Sequence, residues 1–271
     1  MARVLAISSQ VVRGHVGLSA TVFALQRLGH EVWPLPTVLL SNHPGHTKVA
    51  GTRIAPDALR GIVNALAGNG WLPDLDAVLT GYLPTAEHVA FAADTITRLK
   101  SVGRRPLILI DPVLGDDPKG LYIEETAAVA VRDQLLPLAD VITPNRFELA
   151  WLSGLAVTGA ASAATAAGKL NVARVLATSI PAADAGRLSN VLWSPADVTS
   201  LDVPRREQVP HGTGDLLAAL YLGHLLKGST PVDALAKAVA GVRAAIDAGT
   251  PGTDELPLVE AQARWSEGVL K

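Results

Sequence analysis

The chain has 271 residues, 49% of them hydrophobic, and Lys+Arg 23 against Asp+Glu 25 leaves a net charge of -2. That balance argues against nonspecific nucleic-acid binding and against a polybasic membrane face. The absence of cysteine excludes disulfides, Cys-based zinc sites and a Cys nucleophile.

The elements alternate in type along the chain. Val4 to Ser8 reads as a buried strand, followed by helical apolar spacing from Leu18 to Leu28 that Gly29 stops. His30 to Val38, with Val32-Trp33 and Val38-Leu39-Leu40, reads as a second strand interrupted by Pro34 and Pro36, and Ser41 to Gly45 has turn chemistry. Pro56 to Leu66 predicts a helix with proline in its first turn. Ala77 to Thr80 and Leu107 to Ile110 predict strands, with a helix from Thr85 to Val102 between them. Glu124 to Leu136 predicts a helix, Val141-Ile142 a strand, and Arg146 to Leu152 a short helix. Ala160 to Leu170 reads as an Ala-rich helix, and Val172 to Thr178 as a strand. Leu188 to Trp193 and Val198 to Val203 predict an antiparallel pair. Helices over Asp215 to Lys227, Val232 to Ala248 and Val259 to Leu270 complete the chain.

Strand-helix alternation predicts an α/β fold, a mostly parallel central sheet with helices on both faces, in a single domain over residues 1–271. Ligands of such sheets bind beyond the carboxyl ends of the strands. Ser8, Ser9 and Gln10 cut the N-terminal apolar run too short for a signal-peptide core. No run of ~18 apolar residues is present. The expectation is a soluble cytoplasmic protein with no membrane and no nucleic-acid partner.

The sharpest motif is His211-Gly212-Thr213-Gly214-Asp215. Two glycines allow a tight turn, and the first amides of the following helix form an anion site suited to a phosphoryl group. Asp215 beside it can accept a proton from an attacking hydroxyl, or can simply cap the helix. Asp111 ends a strand; it is a magnesium ligand or a turn cap. Glu148 is a second candidate magnesium carboxylate, or Asn145 and Glu148 are a helix cap with its matching acid three residues on. The seven histidines show no metal-ligand spacing, and His15, His43 and His211 read as hydrogen-bonding loop residues. Walker, Rossmann and nucleophile-elbow motifs are absent.

Taken together, the chain resembles the pyridoxal kinases of the ribokinase superfamily. Gly212-Thr213-Gly214-Asp215 is similar to the superfamily's anion hole and catalytic base, and Asn145-Arg146-Phe147-Glu148 to its Asn-x-x-Glu motif. Ser9-Gln10-Val11-Val12, Gly14-His15-Val16-Gly17, Ser41-Asn42-His43, Gly81-Tyr82-Leu83 and Asp111-Pro112-Val113 point to the vitamin B6 branch. The resemblance implies a ribokinase-like fold, ATP as co-substrate, magnesium held by Asp111 and Glu148, and a homodimer. It implies that Asp215 deprotonates the 5′-hydroxymethyl of pyridoxal while Gly212 and Gly214 stabilise the transferring group. Ser9 and Tyr82 would contact the pyridine ring. Asp111, Thr143, Asn145, Glu148, Thr178, Ser179 and Thr213 would line the nucleotide site, and residues 41–45 would close over the substrate. Three positions depart from the family: Gln10 replaces a histidine, Pro44 a threonine, and Leu121 a cysteine found in some bacterial relatives. The rival readings are a kinase for hydroxymethylpyrimidine or another small alcohol, and a vitamer-binding regulator without turnover.

Overall fold

A computed structural model describes residues 1–250 and 252–267. In chain order the elements are β1 (Arg3–Val11), α1 (Leu18–Arg27), β2 (Glu31–Leu40), β3 (Gly51–Arg53), α2 (Pro56–Gly68), β4 (Ala77–Thr80) and α3 (Ala86–Ser101). There follow β5 (Leu107–Ile110), β6 (Gly115–Asp116), β7 (Gly120–Leu121), α4 (Glu125–Ala130), β8 (Val141–Ile142), α5 (Arg146–Ser153) and α6 (Ala160–Lys169). The chain continues through β9 (Arg174–Pro181), β10 (Arg187–Ser194), β11 (Asp197–Pro204), α7 (Thr213–Leu226), α8 (Pro231–Asp247) and α9 (Gln262–Glu267).

Nine strands form one sheet in the order β11-β10-β9-β8-β5-β4-β1-β2-β3. The run from β2 through β9 is parallel, while β3, β10 and β11 pair antiparallel at the two margins. Strand side chains alternate between two faces, as the pleat requires. Leu5, Ile7, Val78, Ile108, Ile110 and Val175 join a core roofed by α2 to α6. Val4, Ala6, Leu79, Leu109, Val141 and Leu176 join a second core under α1, α7, α8 and α9. The α/β architecture with a mostly parallel sheet therefore follows from near-continuous apolar strands that must be buried on both sides.

Several boundaries differ from the sequence reading. The prolines do not interrupt β2: Pro34 and Pro36 precede the stretch Val38 to Leu40 that β3 covers, so neither takes a ladder position against that neighbour. Beyond α4 the chain tightens into a π turn at Val131–Leu135 and a 3-10 turn at Leu136–Leu138, where Pro137 prevents a regular helix from continuing. The predicted helix ending at Leu270 is observed over Gln262–Glu267, and residues 268–270 lie outside the described residues. β3 and the β6–β7 hairpin are short and polar, and the sequence pattern does not predict them.

α7 has no polar face, since every residue from Leu216 to His224 is buried. α8 crosses it at Gly241, where an added Cβ would stand 2.6 Å from Leu220 Cδ1 and 2.7 Å from the Trp265 carbonyl oxygen. In an open helix Gly→Ala gains up to ~1 kcal/mol from propensity; here overpacking of ~1–3 kcal/mol outweighs it. Gly241→Ala is expected to lower stability in urea titrations. Gly61→Ala in α2, where a Cβ meets nothing within 4 Å, is expected to raise it.

Candidate active site

Every parallel strand delivers its carboxyl end to one edge of the sheet, and the amino end of α7 rises against the same edge. Gly212 is the residue before this helix, with φ 90 and ψ 1. A Cβ there would lie 1.9 Å from the His15 carbonyl oxygen, so the turn requires glycine. At Gly214 a Cβ would meet nothing within 4 Å. Gly214 is exposed and half-buried Thr213 stands between the two glycines, so the turn is open on its outer side; the first amides of a helix have no partner within it.

Asp215 is not an N-cap. The cap position belongs to Gly212, and the helix start carries no side-chain cap hydrogen bond. The Asp215 carboxyl instead faces the Gly17 amide. Burial pushes its pKa up to about 6, against the lowering pull of the Gly17 and Asp215 amides. Gly17, at φ 55, passes so close to Ser9 that a Cβ would stand 2.3 Å from both the Ser9 carbonyl oxygen and its Oγ. Ser9, Gly17 and Asp215 are therefore brought together from three separate segments.

Asp111 is buried and accepts a hydrogen bond from Thr143 Oγ1 at 2.9 Å. Desolvation, then the negative fields of Glu148 and Asp215, raise its pKa well above the carboxylate range, and Thr143 partly offsets this. Glu148 is also buried. Its Oε1 accepts from the Leu114 amide at 2.7 Å and the Gly115 amide at 3.5 Å, while Oε2 accepts from the Asn145 amide at 2.9 Å. The Asn145 side chain in turn accepts from the Glu148 amide at 3.0 Å, completing a capping box. The helix-cap reading of this pair is thus correct as far as it goes. It does not account for the Leu114 and Gly115 bonds, which tie the loop after β5 to α5. Burial raises Glu148 as well, against those amide bonds.

Tyr82 is half-buried at the end of β4 and packs against the core; its amide donates to Ser8 Oγ at 3.0 Å. Thr178 lies beside Asn145, its amide donating to the Pro144 carbonyl at 2.9 Å. Ser179 is exposed in the left-handed region at φ 57, on the margin of the group. Gln10 turns inward, its amide donating to Val11 O and Ser19 Oγ, and Pro44 is exposed in the loop after β2.

Two side chains at this edge escape the sequence reading. Ser8 is buried and fixes the Gly81-Tyr82 turn, where a Gly81 Cβ would meet its Oγ at 2.4 Å. Asp116 lies near the Tyr122 hydroxyl, and its Oδ1 is buried without a hydrogen-bond partner. The acid one residue after Gly115 is plain in the sequence, but nothing in its spacing tells that a hairpin folds it back. A cleft at the opposite sheet edge, near Arg3, Arg104 and Arg105, is not a rival anion site, since all three arginines are ion-paired.

Among the described residues no helix is long and apolar enough to cross a membrane. A family model described as phosphomethylpyrimidine kinase matches residues 24–258. Pyridoxal kinase PdxY of Corynebacterium diphtheriae is 33% identical over 265 residues, 96% of this chain and 94% of that protein. The pyridoxal kinase of Leishmania donovani, solved with ADP and pyridoxamine, superposes with TM-score 0.89 at 33% identity, covering 97% of this chain and 95% of that one. The pyridoxal kinase of Entamoeba histolytica gives TM-score 0.93 at 25% identity, over 99% and 97% of the two chains. The chain belongs to the phosphomethylpyrimidine kinase family and has the ribokinase-like fold of its pyridoxal kinase members.

Proposed function

We propose that this chain, acting as one kinase domain over residues 1–271, transfers the γ-phosphoryl group of ATP to the 5′-hydroxymethyl group of pyridoxal, in salvage of vitamin B6. The observation that carries the reading is the meeting of Asp215 and the Gly212–Gly214 turn with Asp111 and Glu148 at one sheet edge. The complex of the Leishmania donovani relative with ADP and pyridoxamine supports both substrates. The family description keeps one alternative in view, phosphorylation of hydroxymethylpyrimidine or a related small alcohol. Measuring ADP release with B6 vitamers, hydroxymethylpyrimidine and sugars decides between them. Turnover of the pyrimidine alone would overturn the proposal, and no turnover at all would leave the vitamer-binding regulator.

The chemistry is positioning and electrostatics, as phosphoryl transfer requires. Asp215, ionised above about pH 6, takes the proton of the 5′-hydroxyl. The freed oxygen attacks the γ-phosphorus, the bond to the bridging oxygen breaks, and ADP leaves with that electron pair. The amides of the 212–215 turn hold the charge on the transferring group. Ser9 and Tyr82 place the ring, with Thr143, Asn145, Thr178, Ser179 and Thr213 along the nucleotide. Asp111 and Glu148 suit magnesium: both acids are buried, and the nearby Asp116 Oδ1 is buried without a hydrogen-bond partner. Magnesium bound there would neutralise phosphate charge. Three backbone amides already occupy Glu148, so its share of the ion passes through water more readily than by direct contact. A homodimer and a cytoplasmic setting complete the reading; the first rests on the resemblance and the second also on the lack of cysteine.

Asp215→Asn is expected to lower turnover by roughly 10²–10⁴, with smaller changes in substrate affinity because the glycine amides remain. The wild-type rate should fall as pH drops through about 6, the value to which burial raises this group. Stability carries the opposite sign. A folded pKa above the unfolded value of ~3.9 means that ionised Asp215 opposes folding above about pH 6, and the penalty is gone below the unfolded value. Asp215→Asn should therefore melt higher than wild type at pH 8 and level with it near pH 4. A folded variant with wild-type kcat would remove Asp215 from catalysis.

Glu148→Gln is expected to raise the magnesium concentration needed for half-maximal rate. It also sets an NH₂ group against an amide of Leu114 or Asn145, a loss of ~1–3 kcal/mol visible in denaturation. If the rate at limiting magnesium is unchanged while stability falls, Glu148 serves the fold alone.

A further inference from the structure

The loop after β2 meets the C-terminal segment in a cluster that the phosphotransfer scheme does not use. His46 Nε2 lies 3.3 Å from Asp254 Oδ2. Ligand atoms of His46, Asp254 and Glu255 all fall within 4.8 Å of one another. Glu255 Oε1 is shielded from solvent and makes no hydrogen bond; among the described residues its partner is the ion pair to Arg13 Nη1 at 2.6 Å. Arg13 is largely exposed, at 67%, and can swing away. A cavity of about 10 Å³ lies among Arg13, His43, His46, His211 and Glu255, the room that a single water or ion needs.

We propose that His46, Asp254 and Glu255 bind one divalent transition-metal ion of the zinc class, and that this ion ties residues 41–50 to the segment 252–256. One imidazole and two carboxylates, with open positions for water, suit zinc, cobalt or manganese; the imidazole disfavours magnesium, which takes oxygen ligands. This site is separate from the acids at the strand ends. It is nonetheless mechanically linked to the anion turn. His43, three residues before His46, stacks on His211 with ring centroids 3.7 Å apart, and Glu255 forms a β-bridge with His211. Fixing His46 therefore holds the loop against the residue that opens the 211–215 turn.

The test uses the untagged full chain, stripped with a chelator and titrated with Co²⁺ without nucleotide, followed by visible absorption and, with Zn²⁺, by calorimetry. One equivalent is expected to bind. His46→Ala should weaken it by at least the ~10–100-fold that loss of a mere outer-shell partner costs, whereas Glu148→Gln should leave it unchanged. His46→Cys should restore binding and add a thiolate-to-cobalt charge-transfer band, which is unambiguous because the chain has no other cysteine. Zn²⁺ should slow amide exchange across residues 43–50 in wild type and not in His46→Ala. Absence of Co²⁺ binding, binding indifferent to His46→Ala, or binding lost in Glu148→Gln would overturn the proposal. None of these outcomes depends on which alcohol the kinase phosphorylates.

Discussion

Mutual repulsion among buried acids is the constraint around which this sheet edge is organised. Asp111 lies in the fields of both Glu148 and Asp215 and is itself desolvated. Three carboxyls so placed must share protons, gather amide hydrogen bonds, or attract cations. Each finds a different part of that solution. Glu148 takes backbone amides from two segments, Asp111 takes the Thr143 hydroxyl, and Asp215 faces Gly17. The fold thereby holds at one place a concentration of negative charge that its own hydrogen bonds offset only in part.

The same constraint explains the backbone around it. Val113 sits at φ 44, unfavourable for a β-branched residue. The next amide, Leu114 N, is gripped by Glu148 at 2.7 Å. A strained residue persists where its surroundings over-determine it. Here the over-determination comes from the carboxylate on one side and from the β6–β7 hairpin on the other.

How much of this is legible in the sequence depends on whether the cause is local. β4, β5 and β8 are legible at their observed limits because a short apolar run buried on both faces leaves little freedom of boundary. β3, β6 and β7 are held by partners outside their own short spans and carry no pattern of their own. Asp111 and Thr143 can be singled out because a parallel sheet sends strand ends to one edge, and Asp215 because two glycines precede it at the start of a strongly apolar helix. That Asp215 does not cap its own helix cannot be read there, since it depends on Gly212 adopting the left-handed cap conformation. Asp116 and Ser8 need the hairpin and the pleat to be in place. The His46–Asp254–Glu255 group joins opposite ends of the chain, so no spacing rule reveals it.

α7 is enclosed by protein from Leu216 to His224, while Gly214 at its amino end is exposed. The field of a solvent-exposed helix terminus fades within a Debye length, ~8 Å at physiological ionic strength. The partial positive charge at Gly212–Gly214 is therefore backed by unscreened buried dipoles and met at its open face by water and dissolved ions. Added salt will weaken the reach of this turn toward a distant anion, as it weakens exposed pairs such as Arg60–Asp57. An anion seated on the turn displaces that water, so salt acts on its approach more than on its retention.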